Sequence, residues 1–576
     1  MAKVPYRTAK GNRVSTAMGP GTSRGVAYSD MPRRLLATAL AVSLLAGSVA
    51  CAQAQPPQPA APAAADRPRA SRPTLIVFIT IDQFRGDYLQ RFGSQLVGGL
   101  HRFDVAGAHF TRAFQDHANT ETAPGHAASM SGRFPVHTGI AANSAGVNDP
   151  TAPLIGASDI GASPRRFQGT TLLDWMRAAD RRTRFLSVSR KDRGAILPIG
   201  RARGDVYWYV SNGSFTQSAY YGTALPKWVR DFNLKQHAAD YAGWIWTPLL
   251  PDSAYAEADS VPVESIGQEY VFPHTVPGEP AMAAAALLGF PVMDELTLRF
   301  ALEGVRELQL GSDQNRTDLL SISLSTADAV GHRFGPDSKE LHDQVLRVDR
   351  YLGAFVDSLF AMRDSTRVIL TLTSDHGMTP FPGVLSTVTP NPGARYVDID
   401  PVFDSAFVQL AALGIDTNQV AVSDGALLIG DTSSFRKARL SVDSVARAIA
   451  ARVRAVPGVN RVDMLSDLAR SDTTQDLVGL RWLRMFAPGG VVRFVTTLDR
   501  FNYPTGVRNA MHGTPWDQDA WVPVIFWGAP FQPGKYDTRA RVVDMAPTLA
   551  DVLGIKPLEK LDGVVLRQAK RTSVAP

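Results

Sequence analysis

At 576 residues the chain is long enough to bury a large core, in one domain with insertions or in two or three smaller ones. Charged residues make up 20% and hydrophobic residues 45%, the composition of an ordinary globular protein. The net charge of +6 belongs to the N-terminus: residues 1–54 hold seven bases (Lys3, Arg7, Lys10, Arg13, Arg24, Arg33, Arg34) against one acid, Asp30, and the remaining 53 bases face 53 acids, which argues against a basic nucleic-acid-binding surface.

In chain order the first feature is an export signal. Arg33-Arg34 is its charged part, and Leu35 to Ala50, about 16 residues, is its apolar part, too short and too rich in small residues for a membrane span. Ala52-Gln53-Ala54 fits a small-x-small cleavage site, so residues 1–54 read as leader and signal peptide and the mature chain as periplasmic or secreted. Met31 is an alternative start, because residues 1–30 have no apolar run. Lipid anchoring would use Cys51, but Ser48-Val49-Ala50 departs from a lipobox. Cys51 is the only cysteine, so cleavage after Ala54 leaves no disulfide and no thiolate metal site. Residues 55–73, rich in Pro and Ala, read as an extended tether.

Residues 74–576 read as the catalytic domain. Thr74 to Ile81 (TLIVFITI) is nearly all apolar and β-branched, as in a central strand buried on both faces. Phe185–Ser189, Leu319–Leu324 and Arg367–Thr373 are similar, and Trp521–Trp527 is another candidate in which Pro523 predicts an edge or a bulge. Helical patterns alternate with these runs. Pro124 opens a helix over Ala123–Met130, and Thr170 or Thr171 caps one carrying Leu172, Trp175 and Met176. Leu341, Val345, Val348, Leu352, Phe355 and Leu359 mark a long one, and Asp544 caps another that Gly554 ends. The alternation predicts an α/β fold: a central, mostly parallel sheet with helices on both faces. Residues 200–290, dense in aromatics (Tyr207, Trp208, Tyr209, Tyr220, Tyr221, Trp228, Trp244, Trp246), and residues 385–510, with a helix at Val442–Val453, read as capping insertions. Those aromatics fit a subdomain core better than a surface for stacking substrate.

Ligands of open α/β sheets bind beyond the carboxyl ends of the strands. Asp82 directly follows Ile81, Asp328 and His332 follow Leu324 after a short link, and Asp375-His376 follow Thr373. With His512 these make three carboxylates and three imidazoles, enough to hold two divalent ions side by side. Taken singly, a strand-terminal Asp is often a turn or cap residue, so convergence of the clusters is what carries the reading. Gly377 would allow the turn that lets neighbouring Asp375 and His376 meet one ion. Imidazole and carboxylate without thiolate suit zinc, with manganese the main competitor.

Asp82, the Thr122-Ala123-Pro124-Gly125-His126 segment, Asp328-xxx-His332, Ser374-Asp375-His376-Gly377 and His512-Gly513 occur in the order found in the alkaline phosphatase superfamily, which the chain resembles from about Thr74 to Gly554. The resemblance implies two Zn2+ ions, one held by Asp82, Asp375 and His376 and the other by Asp328, His332 and His512. It implies Thr122 as the nucleophile, bound to metal as its alkoxide, with the amides of the following helix facing the phosphate. Thr120 is the rival hydroxyl, and His126 matches a position that is not a ligand. Lys191 and Arg193, after the strand ending at Ser189, and Asn143 match phosphoryl contacts of the threonine-using, phosphate-irrepressible monoesterase branch. The pyrophosphatase/phosphodiesterase branch shares the Thr and the Asn but lacks the Lys-x-Arg pair.

Charge points the same way. Two divalent ions balance three carboxylates and one alkoxide, so two further cations favour a dianionic monoester over a singly charged diester. The expectation is a zinc-dependent hydrolase of small phosphate monoesters acting through a phosphothreonine. A phosphodiesterase or nucleotide pyrophosphatase is the alternative, and a non-catalytic zinc- or phosphate-binding protein a third reading.

Overall fold

The computed structural model describes residues 72–235, 237–382, 384 and 393–571; the leader, the signal peptide, Cys51 and the tether up to residue 71 lie outside the described residues. A ten-stranded sheet runs through the chain. Its strands are β1 (Leu75–Ile81), β2 (Ala108–Phe114), β3 (Phe185–Ser189), β4 (Val206–Tyr209), β5 (Phe215–Thr216), β6 (Asp318–Leu324), β7 (Val368–Thr373), β8 (Trp521–Trp527), β9 (Gly534–Tyr536) and β10 (Ala540–Arg541). They lie in the order β9-β2-β8-β7-β1-β6-β3-β4-β5, with β10 beside β2. The stretch β7-β1-β6-β3-β4 is parallel throughout, so the carboxyl ends of these strands open on one edge of the sheet.

The β-branched runs form strands because both faces are covered. In β1, Leu75, Val77, Ile79 and Ile81 enter one core while Ile76 and Phe78 enter the other, the two-residue alternation of a pleated strand. Burying such side chains contributes about 1.5–3 kcal/mol each. Pro523 sits inside the sheet rather than at its edge: β8 lies between β2 and β7, with the register to β2 shifting between Val522 and Val524. The bulge accommodates the missing N–H, and the Pro523 carbonyl accepts the Thr373 hydroxyl at 2.9 Å.

The helices include α1 (Thr122–Ser131), α2 (Leu172–Ala179), α3 (Thr326–Phe334), α4 (Lys339–Met362), α5 (Val442–Arg454) and α6 (Met545–Leu553). Thr171, not Thr170, begins α2, its amide donating to Asp174 Oδ2 at 2.8 Å. Ser338 caps α4 by accepting the Leu341 amide at 3.1 Å, and the predicted apolar stripe is that helix's buried face. Asp544 precedes α6 but its carboxylate does not cap it; it accepts the amides of Arg541 and Val564, each at 2.9 Å. Gly554 ends α6 in the left-handed region.

The aromatic stretch begins in the sheet itself. Tyr207, Trp208 and Tyr209 form β4, Tyr207 and Tyr209 entering one core with Trp246, and Trp208 the other. They are core of the main sheet and not of a separate subdomain. Farther on, Val420–Ser423, Ala426–Ile429, Val492–Leu498 and Val459–Met464 form a second, antiparallel four-stranded sheet in that order. With α5 and the helix Asp400–Ala412 it encloses its own core around Phe403, Phe407, Val420, Ile429 and Phe494. Among the described residues no single helix is long and apolar enough to cross a membrane.

Candidate active site

Four neighbouring parallel strands deliver the acidic and basic groups. Beyond β7 comes Asp375-His376, beyond β1 Asp82, beyond β6 the start of α3 with Asp328, and beyond β3 Lys191. Asp82, Asp375 and His376 are fully buried, and Thr122, Asp328 and Lys191 nearly so.

Lys191 Nζ donates to Asp82 Oδ2 and to Asp328 Oδ2 (2.6 Å) and lies 3.3 Å from Thr122 Oγ1. Thr122 Oγ1 is 3.5 Å from His376 Nε2. The rival hydroxyl is committed elsewhere: Thr120 Oγ1 donates to the Thr514 carbonyl at 3.0 Å. Asp328, His332 and His512 form one group able to hold a cation, and Asp82, Asp328 and His376 form a second. Asp328 thus belongs to both. Asp375, expected beside Asp82 and His376, keeps its Oδ2 3.7 Å from His376 Nε2 and 3.1 Å from His126 Nδ1, while its Oδ1 accepts the Gln83 amide at 3.1 Å.

The imidazoles are oriented from behind. Nδ1 of His332 faces the Ala510 carbonyl at 2.6 Å, that of His512 the Thr120 carbonyl at 2.8 Å, and that of His376 the Gly377 carbonyl at 3.0 Å. A carbonyl can only accept, so each Nδ1 carries the proton and each neutral ring presents a bare Nε2 to the carboxylates. Nε2 of His512 and Nε2 of His332 then face each other at 3.2 Å. Two lone pairs so placed call for a cation or a shared proton between them, and Asp82 Oδ1 is a buried acceptor with no donor. The donor set fits divalent metal ions.

The electrostatics follow. Burial lifts Asp82 to about 6, helped by Asp328 and Asp375 and opposed by Lys191 and His376. Burial acts on Asp328 too, but Lys191, His332 and His512 outweigh it and hold that carboxyl well below the ordinary range. Burial, then His376 and His332, push His512 well down, whereas Asp328 overcomes burial to raise His332.

The Thr-Ala-Pro-Gly-His segment becomes α1 from Thr122 onward. The Ala123 amide donates to Asn143 Oδ1 at 2.8 Å, Pro124 has no N–H, and the Gly125 amide donates to the Glu121 carbonyl at 3.0 Å. The expected row of amides at the helix end therefore reduces to that of Thr122, and Asn143 is fixed beside the threonine by its own acceptor. A Cβ at Gly125 would come within 2.3 Å of the Asp375 carbonyl oxygen, so only glycine lets α1 approach the end of β7 so closely. Gly377 also serves by lacking a side chain rather than by a left-handed turn: its φ is not positive, and a Cβ there would meet the Gln518 carbonyl at 2.3 Å. His126 bridges the Thr122 carbonyl and Ser323 Oγ, 2.9 Å to each. Arg193 is set apart from Lys191, with Nη1 3.6 Å from Asp192 Oδ1 and a buried Nε without a partner.

Two residues join the site without having stood out in the sequence. Gln83, in the left-handed region at φ 63°, donates through Nε2 to Asp328 Oδ1 at 3.2 Å. Arg190 Nη2 approaches Asp328 Oδ2 at 4.0 Å while its Nε donates to the Ser325 carbonyl at 3.0 Å. Their one signal was position, each within two residues of a strand end.

Residues 76–452 match the family described as type I phosphodiesterase / nucleotide pyrophosphatase. The chain is 31% identical to alkaline phosphatase PhoV of Synechococcus elongatus, over 84% of this chain and 91% of that one. It is 28% identical to alkaline phosphatase PafA of Elizabethkingia meningoseptica, over 84% and 92%. The crystal structure of wild-type PafA superimposes with a TM-score of 0.80 at 26% identity, covering 87% of this chain and 99% of that one.

Proposed function

The chain belongs to the type I phosphodiesterase / nucleotide pyrophosphatase family, and from that membership and the geometry of its site we propose that it is an alkaline phosphatase: an exported, zinc-dependent hydrolase of phosphate monoesters that works through a phosphothreonine. The observation that carries this reading is the placement of Lys191 Nζ among Asp82, Asp328 and Thr122 Oγ1. A cation there serves the two negative charges of a monoester and is surplus for a diester. The named relatives, both alkaline phosphatases, support it, as does the leader over residues 1–54 for export.

Asp82, Asp375 and His376 would hold one zinc ion and Asp328, His332 and His512 the other, with Asp328 placed to lean toward either. When bound, the ions supply Lewis acidity that lowers the pKa of the Thr122 hydroxyl and offsets charge on the departing oxygen. Thr122 Oγ attacks phosphorus as the bond to the ester oxygen breaks, and the alcohol leaves with a proton from solvent. Water then attacks the phosphothreonine, phosphate departs, and Thr122 recovers its proton. Lys191, Arg193 and Asn143 hold the phosphoryl oxygens as charge moves onto them, and His126 fixes the carbonyl of Thr122. Loss of one such preorganised donor costs on the order of 10²–10³ in rate.

The test is turnover of an aryl phosphate monoester and of the corresponding diester by purified protein whose metal content is measured alongside. The expected outcome is a marked monoester preference, two zinc ions per chain, and loss of hydrolysis in Thr122→Ala with its metal retained. A diester preference makes the chain a phosphodiesterase, and undiminished activity of Thr122→Ala removes the threonine from the mechanism.

A further inference from the structure

Three hydrogen bonds tie the segment that carries Thr122 to the segment that carries Asn143. Asn119 Nδ2 donates to the Ala141 carbonyl at 3.0 Å, the Asn143 amide donates to Glu121 Oε2 at 2.6 Å, and the Ala123 amide donates to Asn143 Oδ1 at 2.8 Å. The partners on the first segment fall at alternate residues, 119, 121 and 123, so Thr122 lies between two of the rungs. Glu121 stands where a helix-capping residue would: it directly precedes α1, and its carbonyl accepts the Gly125 amide at 3.0 Å. Its carboxyl nevertheless caps nothing in α1 and reaches across to the turn Asn143–Ala145. That turn is packed close against α1, since a Cβ at Gly146 would come within 3.1 Å of the Ala123 Cβ.

The direction of these bonds decides what Asn143 offers. An N–H can only donate, so the side-chain atom facing the Ala123 amide is the oxygen, and Nδ2 is the atom left for a phosphoryl oxygen. The oxygen pins the far end of that side chain to α1, and Glu121 pins the backbone from which the side chain starts. Both ends are thus fixed relative to Thr122. Glu121 is itself half-buried, its Cγ 3.9 Å from where a Cβ at Gly513 would stand, next to His512. Among the described residues it belongs to neither group able to hold a cation.

We propose that Glu121 is a positioning residue: by accepting the Asn143 amide it sets the place of Asn143 Nδ2 beside Thr122, and it touches neither substrate nor metal. The proposal rests on the reading above, in which Asn143 holds a phosphoryl oxygen. Without this acceptor the turn loses its anchor at the residue whose side chain meets the phosphoryl group, and a displacement on the order of 1 Å at such a donor costs about 10²-fold in rate. The loss through this route is bounded by that of removing the donor itself, on the order of 10²–10³.

The experiment is a double-mutant cycle on the full-length chain. kcat and KM for an aryl phosphate monoester and the inhibition constant for inorganic phosphate are measured for wild type, Glu121→Ala, Glu121→Gln, Glu121→Asp, Asn143→Ala and the Glu121→Ala, Asn143→Ala pair. Metal content is recorded for each. The expected result is a fall in kcat/KM of about 10- to 100-fold in Glu121→Ala with its metal retained. Glu121→Gln, whose amide oxygen accepts the same N–H, recovers to within about threefold of wild type. Glu121→Asp, which keeps the carboxyl on a side chain one methylene shorter, stays impaired. In the Asn143→Ala background, Glu121→Ala costs less than about twofold more, because the group it positions is already gone. Undiminished activity of Glu121→Ala, equal losses from it in both backgrounds, or a Glu121→Gln as impaired as Glu121→Ala overturns the proposal. The comparison of Glu121→Gln with Glu121→Asp carries the same test in proteins that keep a polar side chain, and an aspartate variant as active as the glutamine variant overturns it too. The matching diester is assayed alongside, so a chain that hydrolyses only the diester refutes the monoesterase reading while the cycle is still read on that substrate.

Discussion

Lys191 is the residue on which the balance of the pocket turns. It is the lone ammonium among Asp82, Asp328 and Thr122 Oγ1, and the acids it touches are pushed apart, Asp82 up to about 6 by burial and its acidic neighbours and Asp328 well down. Removing its charge should act oppositely on anions and cations. In Lys191→Met, inorganic phosphate should inhibit about 10- to 100-fold more weakly, because the charge-assisted contact proposed for this lysine with phosphoryl oxygen would be lost. Divalent metal content should hold or rise, because three carboxylates are left less compensated. Inhibition constants and metal analysis on one preparation check both halves; tighter phosphate inhibition in the variant would contradict this account of the lysine.

At the scale of elements, the loop before α1 is tied to the loop carrying His512 by an arginine cluster. Asp116, buried, accepts Arg481 Nε at 3.1 Å and Arg539 Nη2 at 2.9 Å and is also bonded by Arg484. Arg481, itself buried, donates onward to the Pro515 carbonyl at 2.6 Å and lies 2.8 Å from Asp517 Oδ1. Burial favours the neutral form of Asp116, but Arg484, Arg481 and Arg539 outweigh it and hold the carboxyl at about 2. A carboxyl lower in the folded than in the unfolded chain contributes stability that is complete above its unfolded pKa and lost as pH falls toward 2. Arg481→Ala should lower stability by about 2–4 kcal/mol at neutral pH and flatten the fall in melting temperature between about pH 4 and pH 2. Glu264 shows the opposite sign. It is buried with Oε2 unpartnered, and burial, then Glu340 and Asp259, push it up to about 9. The folded chain holds that proton after the unfolded chain has released it, so this group's cost grows as pH rises from about 4.5 to about 9. Glu264→Gln should therefore raise the melting temperature, by more at pH 8.5 than at pH 5, and an equal or reversed difference would refute the assignment.

The strands and their ligand-bearing ends were legible because burial on both faces writes an unbroken apolar run, and because parallel strands must present their carboxyl ends together. Asp82, Asp328, Asp375 and Lys191 could be placed on that rule alone. The internal position of β8 was not legible: Pro523 marks a bulge or an edge equally, and only the pairing decides. Nor was the role of β4, since Tyr207, Trp208 and Tyr209 carry no sign of whether they build the main sheet or a lid. Gln83 and Arg190 were hidden because their contacts depend on backbone direction at a strand end, which residue type does not encode. The paired Nε2 atoms of His332 and His512 are likewise a product of carbonyls at Ala510 and Thr120, which every residue possesses and no motif can show.

For the whole molecule, these placements make the candidate metal centre a keystone of the fold. Three carboxylates and two facing imidazole nitrogens converge at the ends of neighbouring strands from the middle of the sheet, under α1 and beside the His512 loop. Without cations the carboxylates repel one another in a buried setting, offset by Lys191 together with Arg190 and the neighbouring imidazoles. Binding of divalent ions to the folded chain, and not to the unfolded one, stabilises it by mass action, about 4 kcal/mol for free metal at a thousandfold the dissociation constant. Chelation should accordingly lower the melting temperature of the full chain, by roughly 2–4 °C for each kcal/mol forfeited at a size above 150 residues, and restoring zinc should return it. In Asp328→Asn the chelator should act less, since that carboxylate takes part in both candidate groups. A melting temperature indifferent to chelator in protein shown to carry metal would mean that the strand ends are held by packing alone.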